Sequence, residues 1–192
     1  MTDGMRIRQA TLADTDTLSA LSARTFIEAF GPMYPPADLQ EFIDTAYSPA
    51  KQAQAIGAPG NAVFLLERDD GEAVGYAAVG PCGLPHPDVR EGDGELKRLY
   101  LRRDAQNGGV GAQLFDQALA WLERDGPRTL WISVWSENFG AQRFYERHGF
   151  EKVGEYGFKV GRTVDREFIL RRPAESFAGD ATQLARSRHN FA

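Results

Sequence analysis

Cysteine is nearly missing from this chain. Cys82 is the single one among 192 residues, so no internal disulfide can form, and a reducing, cytoplasmic setting is expected. Long apolar runs are also lacking. No stretch approaches the roughly 20 residues of a membrane-spanning helix, and Met1 to Arg8 holds no apolar run of the kind that marks a signal peptide. Only three histidines occur, His86, His148 and His189. They lie far apart and lack ligand spacing, so no metal site is expected. Positive charge is not in surplus either. The net charge of −5 gives a nucleic-acid partner no support, and solubility accounts for it without any partner.

The apolar share of 42% and the length fit one domain with a real core. We expect it to occupy residues 5–172, followed by a polar, weakly patterned tail at 173–192. Arg6 to Ala10 is strand-like. Thr11 and Asp14 form a capping signal, and Leu18, Leu21, Ser22, Phe26 and Phe30 recur at helical spacing up to the stop at Gly31-Pro32. Further helices are expected over Pro36 to Tyr47 and from Ser48-Pro49. Ala62 to Glu67 and Ala73 to Val79 flank the hairpin signal Asp69-Asp70-Gly71. Residues 81–94 form a loop, and a strand follows from Glu95 to Leu101. Next come a helix over Gly109 to Arg124, a strand over Thr129 to Trp135, and a helix over Asn138 to His148. Strands over Phe150 to Tyr156 and Thr163 to Leu170 complete the series. The order predicts an α/β (α+β) domain with a mostly antiparallel mixed sheet and helices on both faces.

The informative segment is the glycine turn that joins a strand to a helix at Gln106-Asn107-Gly108-Gly109-Val110-Gly111-Ala112. Glycine lets the backbone bend and lets a ligand come close. The first helical turn offers N–H groups without partners and the positive end of the helix dipole. Together these suit a pyrophosphate. No Gly-Lys-Ser/Thr follows, so the nucleoside-triphosphate loop is excluded. The dinucleotide fingerprint fails at its third glycine, where Leu114 stands, and the expected acid is missing from Thr129 to Trp135.

Gln106-x-x-Gly109-x-Gly111 after Leu99-Tyr100-Leu101 resembles the acetyl-CoA motif of the Gcn5-related N-acetyltransferase (GNAT) family. Asn138-x-x-Ala141-x-x-Phe144-Tyr145-x-x-x-Gly149-Phe150 resembles that family's second signature. The resemblance implies that the backbone from Asn107 to Ala112 cradles the pyrophosphate. It also implies that Leu99, Tyr100 and Leu101 pair with the pantetheine arm, that Asn138 bonds that arm, and that Tyr145 reaches the sulfur. Asn138 and Tyr145 are seven residues apart, about two helical turns, and so share a face. Asn138 also fits a plain helix cap and Tyr145 a plain core aromatic.

The chemistry implied is direct attack of a primary amine on acetyl-CoA. An alkylammonium titrates near 10.4, so its neutral form at pH 7 is scarce by about 4–5 kcal/mol. A base is therefore useful. Glu95 lies eleven residues before Gln106, the spacing of the catalytic glutamate in the histone-acetylating branch, and is the expected base; Tyr145 is the expected acid. Phe26, Glu28, Phe30 and Tyr34 are candidates for acceptor contact, and the loop at 81–94 reads either as a lid or as an idle surface loop. Arg24 to Phe30 and Leu130 to Trp135 resemble bacterial spermidine/spermine acetyltransferases, which favours a small amine or polyamine acceptor. Protein and aminoglycoside amines stay open. So does a non-catalytic acetyl-CoA sensor. Self-association as a homodimer is implied by the resemblance alone.

Overall fold

A computed structural model gives the structure of the protein and describes residues 4–174. The tail expected at 173–192 lies outside the described residues from 175 onward. In chain order the elements are β1 (Met5–Gln9), α1 (Thr15–Phe30), α2 (Pro36–Ala46), α3 (Pro49–Gly57), β2 (Ala62–Arg68), β3 (Ala73–Pro81), β4 (Gly94–Leu101), α4 (Val110–Leu122), β5 (Leu130–Trp135), α5 (Phe139–Arg147), β6 (Glu151–Val160) and β7 (Thr163–Arg172). Among the described residues no helix is long and apolar enough to cross a membrane.

The strands form one seven-stranded sheet in the order β1-β2-β3-β4-β5-β7-β6. Every pairing is antiparallel except β4 with β5. Period-two alternation divides β2 between two cores. Ala62, Phe64 and Leu66 pack with Leu114, Phe115, Ala118 and Leu122 of α4 on one face. Val63 and Leu65 pack with Leu18 and Leu21 of α1 on the other. A third cluster joins Phe26, Tyr34 and Tyr47 to Val160, at the corner where α1 and α2 meet the β6–β7 hairpin.

Two features shape the middle of the sheet. Ala78 pairs with Arg98 and Val79 with Leu96, so Lys97 is an extra residue in β4. Such a bulge bends its strand. On the other side β4 pairs with β5 only from Gly94 to Leu96, opposite Leu130 to Ile132. From Lys97 onward the two strands part. The backbone of β4 is then without a strand neighbour on that side, while β5 continues to pair with β7 as far as Trp135 and Glu167.

The final hairpin is longer than expected. β6 runs to Val160 instead of Tyr156, because Gly157 to Val160 pair with Thr163 to Arg166 around a two-residue turn. Gly161 supplies that turn with a φ of +56°, which a glycine adopts at little cost.

Candidate functional site

The parted strands open a groove of about 900 Å³. Leu99, Tyr100 and Leu101 line it from β4, Asn138 from the cap of α5, and Ala141, Phe144 and Tyr145 from α5 itself. Its far end is the turn before α4, with Gln106, Asn107, Gly109, Gly111 and Ala112. Asn107 and Gly109 take positive φ values of 71° and 74°, the left-handed conformation that turns successive N–H groups outward. A Cβ added at Gly109 would meet nothing within 4 Å, so the backbone there is open to a ligand. Of the remaining cradle residues, Gly108 does not line the groove, and Val110 sends its side chain into the core, 2% exposed.

The sequence reading missed two cations, Arg103 and Arg147, which also line this groove. The Arg103 N–H donates to Glu28 Oε2 at 2.7 Å, and its guanidinium donates to the Glu28 carbonyl at 2.7 Å. Glu28, expected near the acceptor, therefore belongs to the groove and ties α1 to the turn. Gln106 Nε2 donates to the Leu101 carbonyl at 3.2 Å, holding the turn against the end of β4. Asn138 caps α5, its Oδ1 accepting from the Ala141 N–H at 3.1 Å.

A second cavity, about 140 Å³, adjoins the groove on the α1–α2 side of the sheet. Phe30, Leu99, Tyr100, Trp135, Asn138, Ala141 and Tyr145 line both spaces. Phe26, Tyr34 and Phe158 add aromatic walls, and Arg98, Asp165 and Glu167 add charge. Tyr34 Oη donates a short hydrogen bond to Asp165. Burial pushes the Glu167 carboxyl up to about 7; the Arg98 guanidinium opposes this and Asp165 adds to it. Tyr145 is pushed up to about 12, chiefly by burial and secondarily by Glu167. Its ring rests on Phe115 and Phe150, with centroids 5.8 and 6.3 Å away.

Glu95 stands apart from this group. Its Oε2 accepts from the Gly83 N–H at 2.8 Å and pairs with Lys97 Nζ at 3.0 Å, and the residue lines neither the groove nor the cavity. Glu95, the base expected from its spacing before Gln106, is thus engaged by an ammonium two residues along its own strand. The loop at 81–94 is likewise pinned elsewhere. Asp93 accepts from Trp131 Nε1 at 2.8 Å, Asp88 pairs with Arg171 at 3.1 Å, and His86 lies 5.1 Å from the Trp131 ring. None of its residues lines either space, so it does not cover the cavity. Among the described residues no group of three His, Cys, Asp or Glu side chains could hold a metal ion.

The pattern of the Acetyltransferase (GNAT) family matches residues 23–150. An uncharacterized N-acetyltransferase of the pepI 3' region of Lactobacillus delbrueckii subsp. lactis is 30% identical over 169 residues, covering 88% of this chain and 97% of the relative. A probable spermine N(1)-acetyltransferase of Bacillus subtilis subsp. natto is 26% identical over 99 residues, covering 51% of this chain and 65% of the relative. The spermidine/spermine likeness is thus partial and distant. Among solved structures, the PaiA N-acetyltransferase of Thermoplasma acidophilum, in complex with coenzyme A, superposes with a TM-score of 0.67 at 17% identity, over 88% of this chain and 98% of that one. With the family pattern spanning both signature motifs and a sheet that parts between β4 and β5, the chain belongs to the Acetyltransferase (GNAT) family.

Proposed function

We propose that the protein transfers an acetyl group from acetyl-CoA to the primary amine of a small molecule, by direct attack of the amine. One observation carries the reading. The edge of β4 left free beyond Leu96 leads straight to the amide-presenting turn before α4, and the groove they share meets a carboxylate-bearing cavity at Tyr145.

The backbone from Asn107 to Ala112, with the start of α4, holds the pyrophosphate through N–H groups and the helix dipole. Gly108 and Val110 contribute backbone only. Arg103 and Arg147 add charge for phosphate oxygens along the same groove. Leu99 to Leu101 offer the backbone edge that β3 leaves unpaired to the amides of the pantetheine arm, the Leu101 carbonyl being shared with Gln106, and Asn138 lines the same groove. When bound, acetyl-CoA supplies an activated thioester.

The remaining work is proton movement. The base is Glu167 in place of Glu95. Its carboxyl titrates at about 7, so near neutral pH it takes the ammonium proton while a large fraction is ionised. Tyr145, pushed up to about 12, stays protonated and gives its proton to the departing sulfur. General acid–base help of this kind is worth typically about 10²–10⁴-fold. A non-catalytic sensor has no use for a carboxyl tuned to neutrality beside a protonated phenol.

The acceptor is small, in keeping with the size of the cavity. Polyamines enter only through the partial spermine-enzyme likeness; protein and aminoglycoside amines are disfavoured by the modest volume of the cavity. A reducing cytoplasmic setting is inferred from the single cysteine, and a homodimer from resemblance alone. Calorimetric titration with acetyl-CoA, followed by thiol-release assays across amines, tests the reading. Absence of acetyl-CoA binding at millimolar concentration would sink it.

A further inference from the structure

Arg98 is the one residue of the acceptor cavity that an amine alone leaves unexplained. It sits in β4 opposite Ala78, on the sheet face that also carries Tyr76 and Tyr100, and it lines the cavity. Its Nη1 donates to the Lys97 carbonyl at 2.7 Å. Its other neighbours, Tyr47, to which it is hydrogen-bonded, and Tyr76 and Tyr100, are neutral phenols. It forms no ion pair among the described residues.

Other enclosed arginines of this protein are treated differently. Arg102 pairs with Glu72 and, at 2.7 Å, with Asp104. Arg172 pairs with Glu123 at 2.8 Å. A guanidinium cannot shed its charge at accessible pH, and an enclosed charge without a counter-ion is costly. Glu167 feels Arg98 through space without touching it, and Asp165 is engaged by Tyr34. The cavity is therefore dipolar, with a cation lacking a counter-ion on the β4 side and two carboxylates on the β7 side.

We propose that the acceptor is a compact amino acid-like zwitterion, whose carboxylate is held by Arg98 while its amine points to Glu167. The inference rests on the acetyltransferase reading and narrows its substrate class. A planar guanidinium takes a carboxylate through two parallel hydrogen bonds. The aromatic walls from Phe26, Phe30, Trp135 and Phe158 suit an apolar side chain branching off beside the two charged groups. A linear polyamine fits poorly, since its second ammonium would lie against Arg98. The net step balances: the ammonium loses one proton to Glu167, the N–C bond forms as the C–S bond breaks, the sulfur leaves with the proton from Tyr145, and the second proton shed by the nitrogen returns to the Tyr145 phenolate.

The test uses matched pairs in a thiol-release assay on the full chain. Leucine is compared with isopentylamine, phenylalanine with phenethylamine, and spermidine is included. We expect kcat/KM to favour the carboxylate-bearing member of a pair by about 100-fold, the scale of a charge-assisted bidentate contact. Arg98→Gln should bring the ratio to within a few-fold, through a rise in KM for the amino acid. Arg98→Lys, which keeps the charge and guards against loss of fold, should restore part of the preference. Preference for decarboxylated amines or spermidine overturns the proposal, as does failure to acetylate any carboxylate-bearing amine. So does a ratio that survives in Arg98→Gln. Calorimetric binding of acetyl-CoA by the same preparation separates these results from failure of the acetyltransferase reading itself.

Discussion

Glu167 couples activity to stability through one titration. Its carboxyl, at about 7 in the folded protein, holds its proton more tightly than the ordinary value near 4.3 of an unfolded glutamate. Between those values the folded state keeps a proton that the unfolded chain has lost. Stability therefore falls as pH rises through this window, and the full cost stands above about 7. Turnover moves the other way, rising through about 7 as the base ionises. Glu167→Gln is expected to abolish that acidic limb of the kcat/KM profile. It should also raise Tm at pH 8 but not at pH 4, at roughly 2–4 °C per kcal/mol recovered, which scanning calorimetry at both pH values checks. Tyr145→Phe keeps the ring on Phe115 and Phe150, so it should lower kcat by about 10²-fold with acetyl-CoA affinity near normal, read by rapid-quench and titration. Tyr145 was legible because it belongs to a local motif. Glu167 was not, because only the pairing of Trp135 with Glu167 across β5 and β7 brings it to the site.

At the scale of an element, the turn into α4 was the most legible part of the chain. A 3.6-residue period placed Val110, Leu114, Phe115, Ala118, Leu119 and Leu122 on one stripe, and all are buried. The glycines before the helix announced a backbone that other residues resist. Gly109→Ala tests this. At a φ of +74° a Cβ costs about 1–2 kcal/mol, so thermal denaturation should record a lower Tm. The new methyl group stands in space that is open without ligand, so titration should also record weaker acetyl-CoA binding. The bulge in β4 was invisible to the sequence reading. Glu95 to Leu101 has a strand's composition throughout, and nothing local says that Lys97 is extra. The end of β6 was hidden for another reason: an edge strand buries little, and Gly157 looks like an interruption.

For the molecule as a whole, the sheet is held firmly on two faces yet divided in the middle. Phe115, fully buried, ties α4 to α5 and to the start of β6, its ring lying 5.0 Å from Phe144 and 6.4 Å from Phe150. The β4–β5 junction has only the short pairing from Gly94 to Leu96. A ligand that bridges β4, the α4 turn and α5 should knit the halves together. At 100 times its Kd, acetyl-CoA is expected to add about 2.7 kcal/mol, raising Tm by roughly 5–10 °C. Hydrogen exchange should slow most along Lys97 to Leu101. The two spaces that meet at Tyr145 also set the traffic of the reaction. In the proposed reaction the two adjoining spaces house the two reactants side by side, so neither would need to depart before the other arrives. The acyl unit would then cross a shared threshold once, and no side chain would have to carry it as a passenger in between.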